Sequence, residues 1–493
     1  MNGKSLTTKT ALEMKQMGRK MMKRIVGILF LLFIIIYSST IYFHVKKSLP
    51  IGMSVEGAIH QVEDIELLTD ITYKNKQNKR VVQHEVFHTM LKDIQQAKKF
   101  IVVDMFLFNK DTNEDQVYPP LVEEFTKALI KKKTDNPSIS IVLLTDKINT
   151  IYGSYPSEEL NDLKQIGIKV IETNVKKLRD SNPLYSAFWR MFGQWGKTNG
   201  NGHLPNLLAK SGQKITVLSY LELLNVKANH RKLLITENAA IISSGNIHNA
   251  SGYHSNIAFR VGGNIINDLL ESEESAARLN EHLHLPRIPK HPETNTQIEI
   301  QLLTEGKIGK HVLEEISKTD SKDSIWIGIL YLADRNVIDE IKAAAARRVH
   351  IYLLLDPNQN SFGNKKSGLP NIPVVAELRK SKVSKNIHIK WYNTGKEQYH
   401  PKIMLIERET ADTIISGSAN FTRRNLYDFN LETDIKIIAK KETKVAKETK
   451  SYFQRLWTND GAEYTRDVDT QSKFPFFRYI VYRLQRLLWF TTY

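Results

Sequence analysis

The residues best suited to chemistry in this chain form two distant histidine–lysine pairs, His230/Lys232 and His400/Lys402, set in one repeated context. Asn229–Ser251 reads NHRKLLITENAAIISSGNIHNAS and Tyr399–Asn425 reads YHPKIMLIERETADTIISGSANFTRRN. Each stretch opens with His-x-Lys and runs into an apolar strand followed by an acid, Glu237 or Glu407. Each then returns through a second apolar strand into a Ser/Gly turn carrying Asn. Residues two apart on a strand point to the same face, so each His and its Lys address one side of a sheet. Glycine allows close backbone approach, and the amides and hydroxyls of the turn can donate to an anion. An imidazole can attack phosphorus or move a proton, and an ammonium can neutralise a phosphoryl oxygen. Two such hairpins brought together would surround one phosphate with two imidazoles, two ammonium groups and neutral donors. The pairs His44/Lys46 and His388/Lys390 lack this context and read as structural.

These motifs resemble those of the phospholipase D superfamily, whose signature is two copies of H-x-K-x4-D-x6-G-S-x-N, and the resemblance spans about residues 85–457. The second copy supplies His400, Lys402, Gly417, Ser418 and Asn420, then Asn430-Leu431-Glu432, which is similar to the family's downstream acidic position. Glu407 stands where the family has Asp, and Gly417 lies three residues further on. In the first copy His230 and Lys232 match, Glu237 again replaces Asp, and Gly245 lies one residue late. Asn246 then falls at the Ser position and His248 at the Asn position, with Asn249 beside it as a substitute. Ser255-Asn256-Ile257-Ala258 parallels the stretch around Glu432 without an acid.

The resemblance implies a phosphodiester hydrolase or phosphatidyl transferase working through a phosphohistidine, with no cofactor or metal. It assigns His230 as nucleophile and His400 as general acid and then base. The sequence alone does not order the two. Lys232 and Lys402 with Ser418, Asn420, Asn246 and Asn249 would hold the phosphate, and Glu432 would orient one imidazole. The implied substrate is a phospholipid, as for cardiolipin synthase-like enzymes. An anchored nuclease, which would make nucleic acid the partner, and a non-catalytic lipid-binding relative are the alternatives within the superfamily. Headgroup, acceptor and oligomeric state are not set by the sequence.

The elements that must position these residues show a duplication. IVVDMFLF, a helical stretch near residues 121–132, IVLLTD ending at Asp146 and GIKVIET precede the first pair. IWIGILYLAD, a helical run near 337–347, IYLLLD ending at Asp356 and IHIKWYN precede the second. Alternating strands and helices predict an α/β fold of two similar halves, each a mainly parallel sheet flanked by helices. The halves are placed at 51–290 and 291–470, joined through the proline-rich 284–292. Asp146 to His230 is 84 residues against 44 from Asp356 to His400, so the first half carries an insertion, placed at 178–215. It is aromatic, with Arg190 and Lys197 interleaved, and reads either as a packed insertion or as a lid or membrane-dipping segment.

The flanks complete the organisation. The chain has 493 residues, a formal charge of +17 and no cysteine, which excludes disulfides and thiol catalysis and implies an anionic partner. Ile25–Phe43 is 19 residues without a charge, close to the hydrocarbon thickness of a bilayer as a helix. Residues 1–50 are therefore expected to be a basic segment plus a single-pass transmembrane anchor. Lysines and arginines crowd its N-terminal side, so the N-terminus is expected in the cytoplasm and the catalytic body outside the cell membrane. In the tail, 471–493, Phe477, Ile480, Val481, Leu484, Leu487 and Leu488 share one helical face, with Arg478, Arg483 and Arg486 around it. That pattern fits an interfacial helix on anionic lipid or a terminal helix docked on the body.

Overall fold

A computed structural model describes residues 3–491 apart from 113–116, 197, 199, 201, 207–208, 210–211, 294, 362–363 and 470–473. Lys197 of the insertion lies outside the described residues. The chain begins with one long helix, α1 (Gly3–Lys46), apolar and long enough to cross a bilayer and so a candidate membrane anchor.

The first half follows as β1 (Glu56–Gln61), β2 (Ile65–Lys74), β3 (Arg80–His84), α2 (Glu85–Gln96), β4 (Phe100–Met105), α3 (Leu121–Asp135), β5 (Ser140–Asp146) and β6 (Lys169–Thr173). The insertion contributes α4 (Pro183–Phe188), and then come β7 (Lys232–Thr236), β8 (Ala240–Ser243), β9 (Asn256–Val261) and α5 (Ile265–Ala277). The second half runs β10 (Ile298–Thr304), α6 (Gly306–Ser317), β11 (Ser324–Ile329), α7 (Arg335–Ala346), β12 (His350–Leu355), β13 (Ile387–Tyr392), β14 (Lys402–Glu407), β15 (Ala411–Gly417), β16 (Thr433–Lys440), α8 (Lys444–Thr458), β17 (Thr465–Asp467) and α9 (Phe476–Leu487).

These strands build two sheets of eight and nine strands, ordered β3-β2-β9-β8-β7-β4-β5-β6 and β1-β10-β16-β15-β14-β11-β12-β13-β17. From β2 to β6 and from β10 to β13 the two orders are equivalent strand for strand, so the duplication read from the sequence is a duplication of topology. β1 departs from the expected division, because it pairs with β10 and edges the sheet of the second half. Strand direction also departs from it. Only β4–β5–β6 and β11–β12–β13 are parallel. The other neighbours are antiparallel, so the sheets are mixed rather than mainly parallel. The reason is connectivity. Helical crossovers return the chain in the same direction, whereas each motif hairpin reverses it through a short turn and the strand after it through a longer loop.

Every residue of β4 is buried, as expected of a central strand covered on both faces. The inner faces of the two sheets pack on one another in a common core, where Val102, Leu233, Ile242 and Ile257 meet Ile403, Leu405, Ile414 and Ile435. The outer faces are covered by helices: α2 and α3 over the first sheet, α6 and α7 over the second. The motif hairpins β7–β8 and β14–β15 thus lie inside the sandwich. Truncating a core side chain such as Leu405 to Ala would cost about 2–5 kcal/mol. The proline-rich crossover runs along α5, where Asn264 and Asn267 hold it by hydrogen bonds with the backbones of His291 and Ile288.

Candidate active site

Each motif histidine sits just before its strand, in a turn that the same device fixes in both halves. Asp146, at the end of β5, accepts from the backbone N–H of Asn229 (2.7 Å) and Ile148 (2.8 Å). Asp356, at the end of β12, accepts from Tyr399 (2.7 Å) and Asn358 (2.6 Å). Asn229 is pinned further by Asp104 of β4, which accepts from its amide at 2.8 Å.

The backbone then crosses between halves. His230 N donates to Leu431 O (2.9 Å) and Leu431 N to Ala228 O (3.0 Å); His400 N donates to Ser255 O (2.9 Å) and Ser255 N to Gln398 O (3.0 Å). Two short parallel bridges, one per half, therefore carry each histidine to the residue that backs it. The carboxylate of Glu432, from the second half, meets Nδ1 of His230 at 2.9 Å. The amide oxygen of Asn256, from the first half, meets Nδ1 of His400 at 3.1 Å. A carboxylate only accepts, so His230 carries its proton on Nδ1 and its Nε2 lone pair is free.

The partners behind these two residues also correspond. Ser418 Oγ donates to Glu432 and accepts from Thr433 N (3.0 Å). Ser244 Oγ lies 3.4 Å from the Asn256 oxygen and accepts from Ile257 N (2.9 Å). Likewise Asn420 Oδ1 accepts from Tyr331 N and Asn246 Oδ1 from Leu107 N, both at 3.3 Å. Ser243-Ser244-Gly245-Asn246 is thus the counterpart of Gly417-Ser418-Ala419-Asn420. This moves the first motif by two residues from the register expected with Gly245 at the family glycine. Ser244 is the serine and Asn246 is the asparagine. The real glycine position, Gly417, is tight, since a Cβ there would meet the Thr433 carbonyl at 2.3 Å.

Both histidines line one cavity of about 330 Å³, together with Asn246, Asn420, Tyr331 and Arg424. Lys232 and Lys402 are buried beneath it, each donating to its own histidine's carbonyl at 2.6 and 2.7 Å. Lys402 Nζ also stands 2.9 and 3.0 Å from the ring nitrogens of His400. Ser418 does not touch the cavity and acts on Glu432. Asn249 faces α3, accepting from Val122 N (3.0 Å) and donating to Glu123 (2.8 Å). His248 lines the cavity, with its ring held by Ser251 (2.9 Å) and the Asp111 carbonyl (3.0 Å). Glu237 and Glu407 lie at the far ends of β7 and β14, where Glu237 accepts from Lys98 N (2.6 Å) and Glu407 from Ser324 Oγ (3.1 Å). Asn256, Tyr331 and Arg424 were not anticipated as site residues. The only hint in the sequence was the match of Ser255–Ala258 to the stretch around Glu432.

The electrostatics follow from burial of several cationic groups together. Burial and then the neighbouring lysines hold His230 well below the ordinary imidazole range, and burial followed by Lys402 does the same to His400. Burial brings Lys232 down to about 7 against the pull of Glu432 and Asp104, and burial and then Lys232 lower Lys402 strongly. Burial raises Glu432 to about 7 despite Lys232. Without a ligand the imidazoles are neutral at pH 7. An anion in the cavity would favour the charged form of every one of these cationic groups. Among the described residues no group of His, Asp and Glu is arranged to hold a metal ion.

Residues 312–457 match a family described as cardiolipin synthase, PLD-like domain. This segment is therefore similar to a phospholipase D-like domain, and the first half repeats its strand order. Among solved structures, phosphatidylserine synthase from Haemophilus influenzae Rd KW20 is similar over 87% of this chain and 95% of its own, at 10% identity and a TM-score of 0.56, a likeness of fold. Polyphosphate kinase from Porphyromonas gingivalis covers 86% of this chain and 53% of its own at 11% identity and a TM-score of 0.44. Nuc, a phospholipase D family member from Salmonella typhimurium, covers 35% of this chain and 99% of its own at 18% identity and a TM-score of 0.27. A search of curated proteins finds no match.

Proposed function

We propose that the protein is a membrane-anchored phosphodiester hydrolase or phosphatidyl transferase that acts on phospholipids through a phosphohistidine on His230. The observation that carries this reading is the convergence of His230 and His400 on one cavity, each backed by a residue of the opposite half. His230, with Nε2 free and Glu432 ready to stabilise the imidazolium formed on attack, is suited to be the nucleophile. His400, backed by a neutral amide, is suited to give a proton to the leaving alcohol and later to take one from water or an acceptor alcohol. In the first step the Nε2–P bond forms, the P–O bond to the headgroup breaks, and the His400 proton leaves with the headgroup. In the second the acceptor oxygen bonds to phosphorus, its proton passes to His400, and the N–P bond breaks. Lys232 and Lys402 balance the developing charge, and Asn246 and Asn420 orient the phosphoryl oxygens.

The test is incubation of the full-length protein with mixed bacterial phospholipids and mass analysis of the products. A released headgroup, or a lipid carrying two phosphates, is expected, together with a phosphatidyl adduct on the peptide containing His230 when wild-type turnover is quenched in alkaline denaturant, and His400→Ala should give neither. Full activity in His400→Ala, or degradation of DNA with lipids untouched, would overturn the reading. The expected topology, N-terminus cytoplasmic and body outside, is proposed as well. Because the chain has no cysteine, a single introduced cysteine in the body should react with an impermeant maleimide on intact cells.

A further inference from the structure

The terminal helix α9 is docked by an unexpected edge. Tyr482 is buried and donates to the Ala333 carbonyl at 3.1 Å, with Tyr479 beside it. The apolar face read from the sequence is bare: Phe477 is 82% exposed and Leu487 75%, and Ile480, Val481, Leu484 and Leu488 are exposed too. A helix held only by contact with its own body would turn that face inward. Residues 476–491 contain three arginines and no acid.

The insertion repeats the pattern. Leu184, Phe188, Phe192 and Trp195 are spaced as one stripe through α4 and the wider turn Trp189–Gly193, and all are exposed, Trp195 by 76%. Trp189 turns inward, with Pro183, Ser186 and Ala187 on the same buried side. The start of this segment touches the end of α1: Asp180 N donates to His44 O at 3.0 Å, Arg179 to Lys47 O at 2.8 Å, and Tyr37 to Leu184 O. It also holds the tail, with Thr491 N donating to Asn182 at 3.3 Å. The cavity is close by, since Ala209 and Arg424 line it and Arg424 donates to Thr491.

We propose that the insertion and α9 together form a docking surface for the anionic bilayer in which α1 is embedded, seating the catalytic cavity beside the leaflet. Exposed apolar area on this scale marks an interaction site, and arginines bordering an apolar helix face match anionic headgroups. A second copy docked face to face would bring Arg478, Arg483 and Arg486 against themselves. The inference rests on the reading of α1 as an anchor in the proposed function. It predicts that phospholipid substrate reaches His230 without leaving the membrane.

The native tryptophans test it. Six are present and none lies in α1, and Trp195 and Trp489 belong to the two surfaces and not to the cavity. Full-length protein is reconstituted in vesicles of phosphatidylcholine with brominated acyl chains, with or without unbrominated phosphatidylglycerol. Bromine is expected to quench part of the fluorescence, Trp195→Ala and Trp489→Ala each to reduce that quenching, and the double variant to remove most of it. Unchanged quenching in the double variant, no quenching at all, or equal quenching without phosphatidylglycerol would overturn the proposal. So would a dimer in detergent that Leu484→Glu dissociates. Quenching reads no turnover, so an absence of lipid products would overturn the enzymatic reading and leave this one standing.

Discussion

The unequal backing of the two histidines predicts that adding charge at Asn256 will move one limb of the pH profile, whereas removing it at Glu432 will lower the rate. In Asn256→Asp a carboxylate replaces an amide whose oxygen is 3.1 Å from His400 Nδ1. With charge centres roughly 4 Å apart and an effective dielectric near 20, the attraction is about 4 kcal/mol, or about three pKa units. Lys402, 2.9 Å from the same nitrogen, takes up part of that field. The net effect is therefore an upward shift of about one to two units. If His400 is the general acid, activity is lost as pH rises through its pKa, so the alkaline limb of kcat/KM moves up by that amount and the acidic limb stays. Glu432→Gln removes the charge that stabilises imidazolium on His230, and kcat should fall on the order of 100-fold or more above about pH 7, where that carboxyl is ionised. The assay uses a short-chain phosphatidylcholine below its micellar concentration, a soluble diester whose alkoxide leaving group needs the proton, so that membrane docking does not enter. An Asn256→Asp enzyme whose acidic limb moves while the alkaline limb stays would reverse the two roles. Full activity in Glu432→Gln would refute the backing argument itself.

Three further outcomes follow from the geometry. Burial brings Lys232 down to about 7 in the empty site, so binding of sulfate, whose own charge is constant there, should draw protons at pH 8, and fewer in Lys232→Met; calorimetry in buffers of different ionisation enthalpy measures it, and no uptake at pH 8 would contradict the assignment. Arg231→Met strands Glu273 and Glu305, which the guanidinium meets at 2.8 and 2.7 Å with no exposure, and should cost about 3–5 kcal/mol in denaturant unfolding. Asn249→Ala removes the acceptor for Val122 N and should cost about 1–3 kcal/mol of stability, with the rate on the soluble diester retained per folded molecule.

What could be read from the sequence, and what could not, follows the range of the interactions. The His/Lys pairs, the strand-ending aspartates and the repeat of strand order were legible because each is a local pattern that recurs. Asp146 and Asp356 proved to be equivalent acceptors for the turn before each histidine. Strand direction was not legible, because burial gives parallel and antiparallel strands the same apolar runs. The register of the first motif, set from Gly245, was two residues off. Hydrogen bonds to Ile257 N and Leu107 N decide it, and both partners lie outside the motif. Asn256 was noticed only as a missing acid, since its partner His400 is 144 residues away. Arg231, flanked by the two motif residues, has no local pattern that marks it as buried. It is buried because Glu273 and Glu305 come to it from α5 and the turn before α6.

The same long-range contacts explain why duplication did not yield two sites. Alone, either half would present a histidine with an unbacked Nδ1 and a turn lacking its backbone bridge, since Leu431 and Glu432 serve His230 while Ser255 and Asn256 serve His400. Arg231 ties the arrangement further, because Glu305, which binds its guanidinium at 2.7 Å, also accepts from the backbone N–H of Glu432 at 3.2 Å. The orientation of His230 thus depends on a buried ion pair spanning both halves. His400 rests on the Ser255 bridge, the Asn256 amide and its own lysine. A change at Asn256 can therefore retune His400 without disturbing His230, whereas a change at Arg231, Glu305 or Glu432 reaches His230 through one connected network.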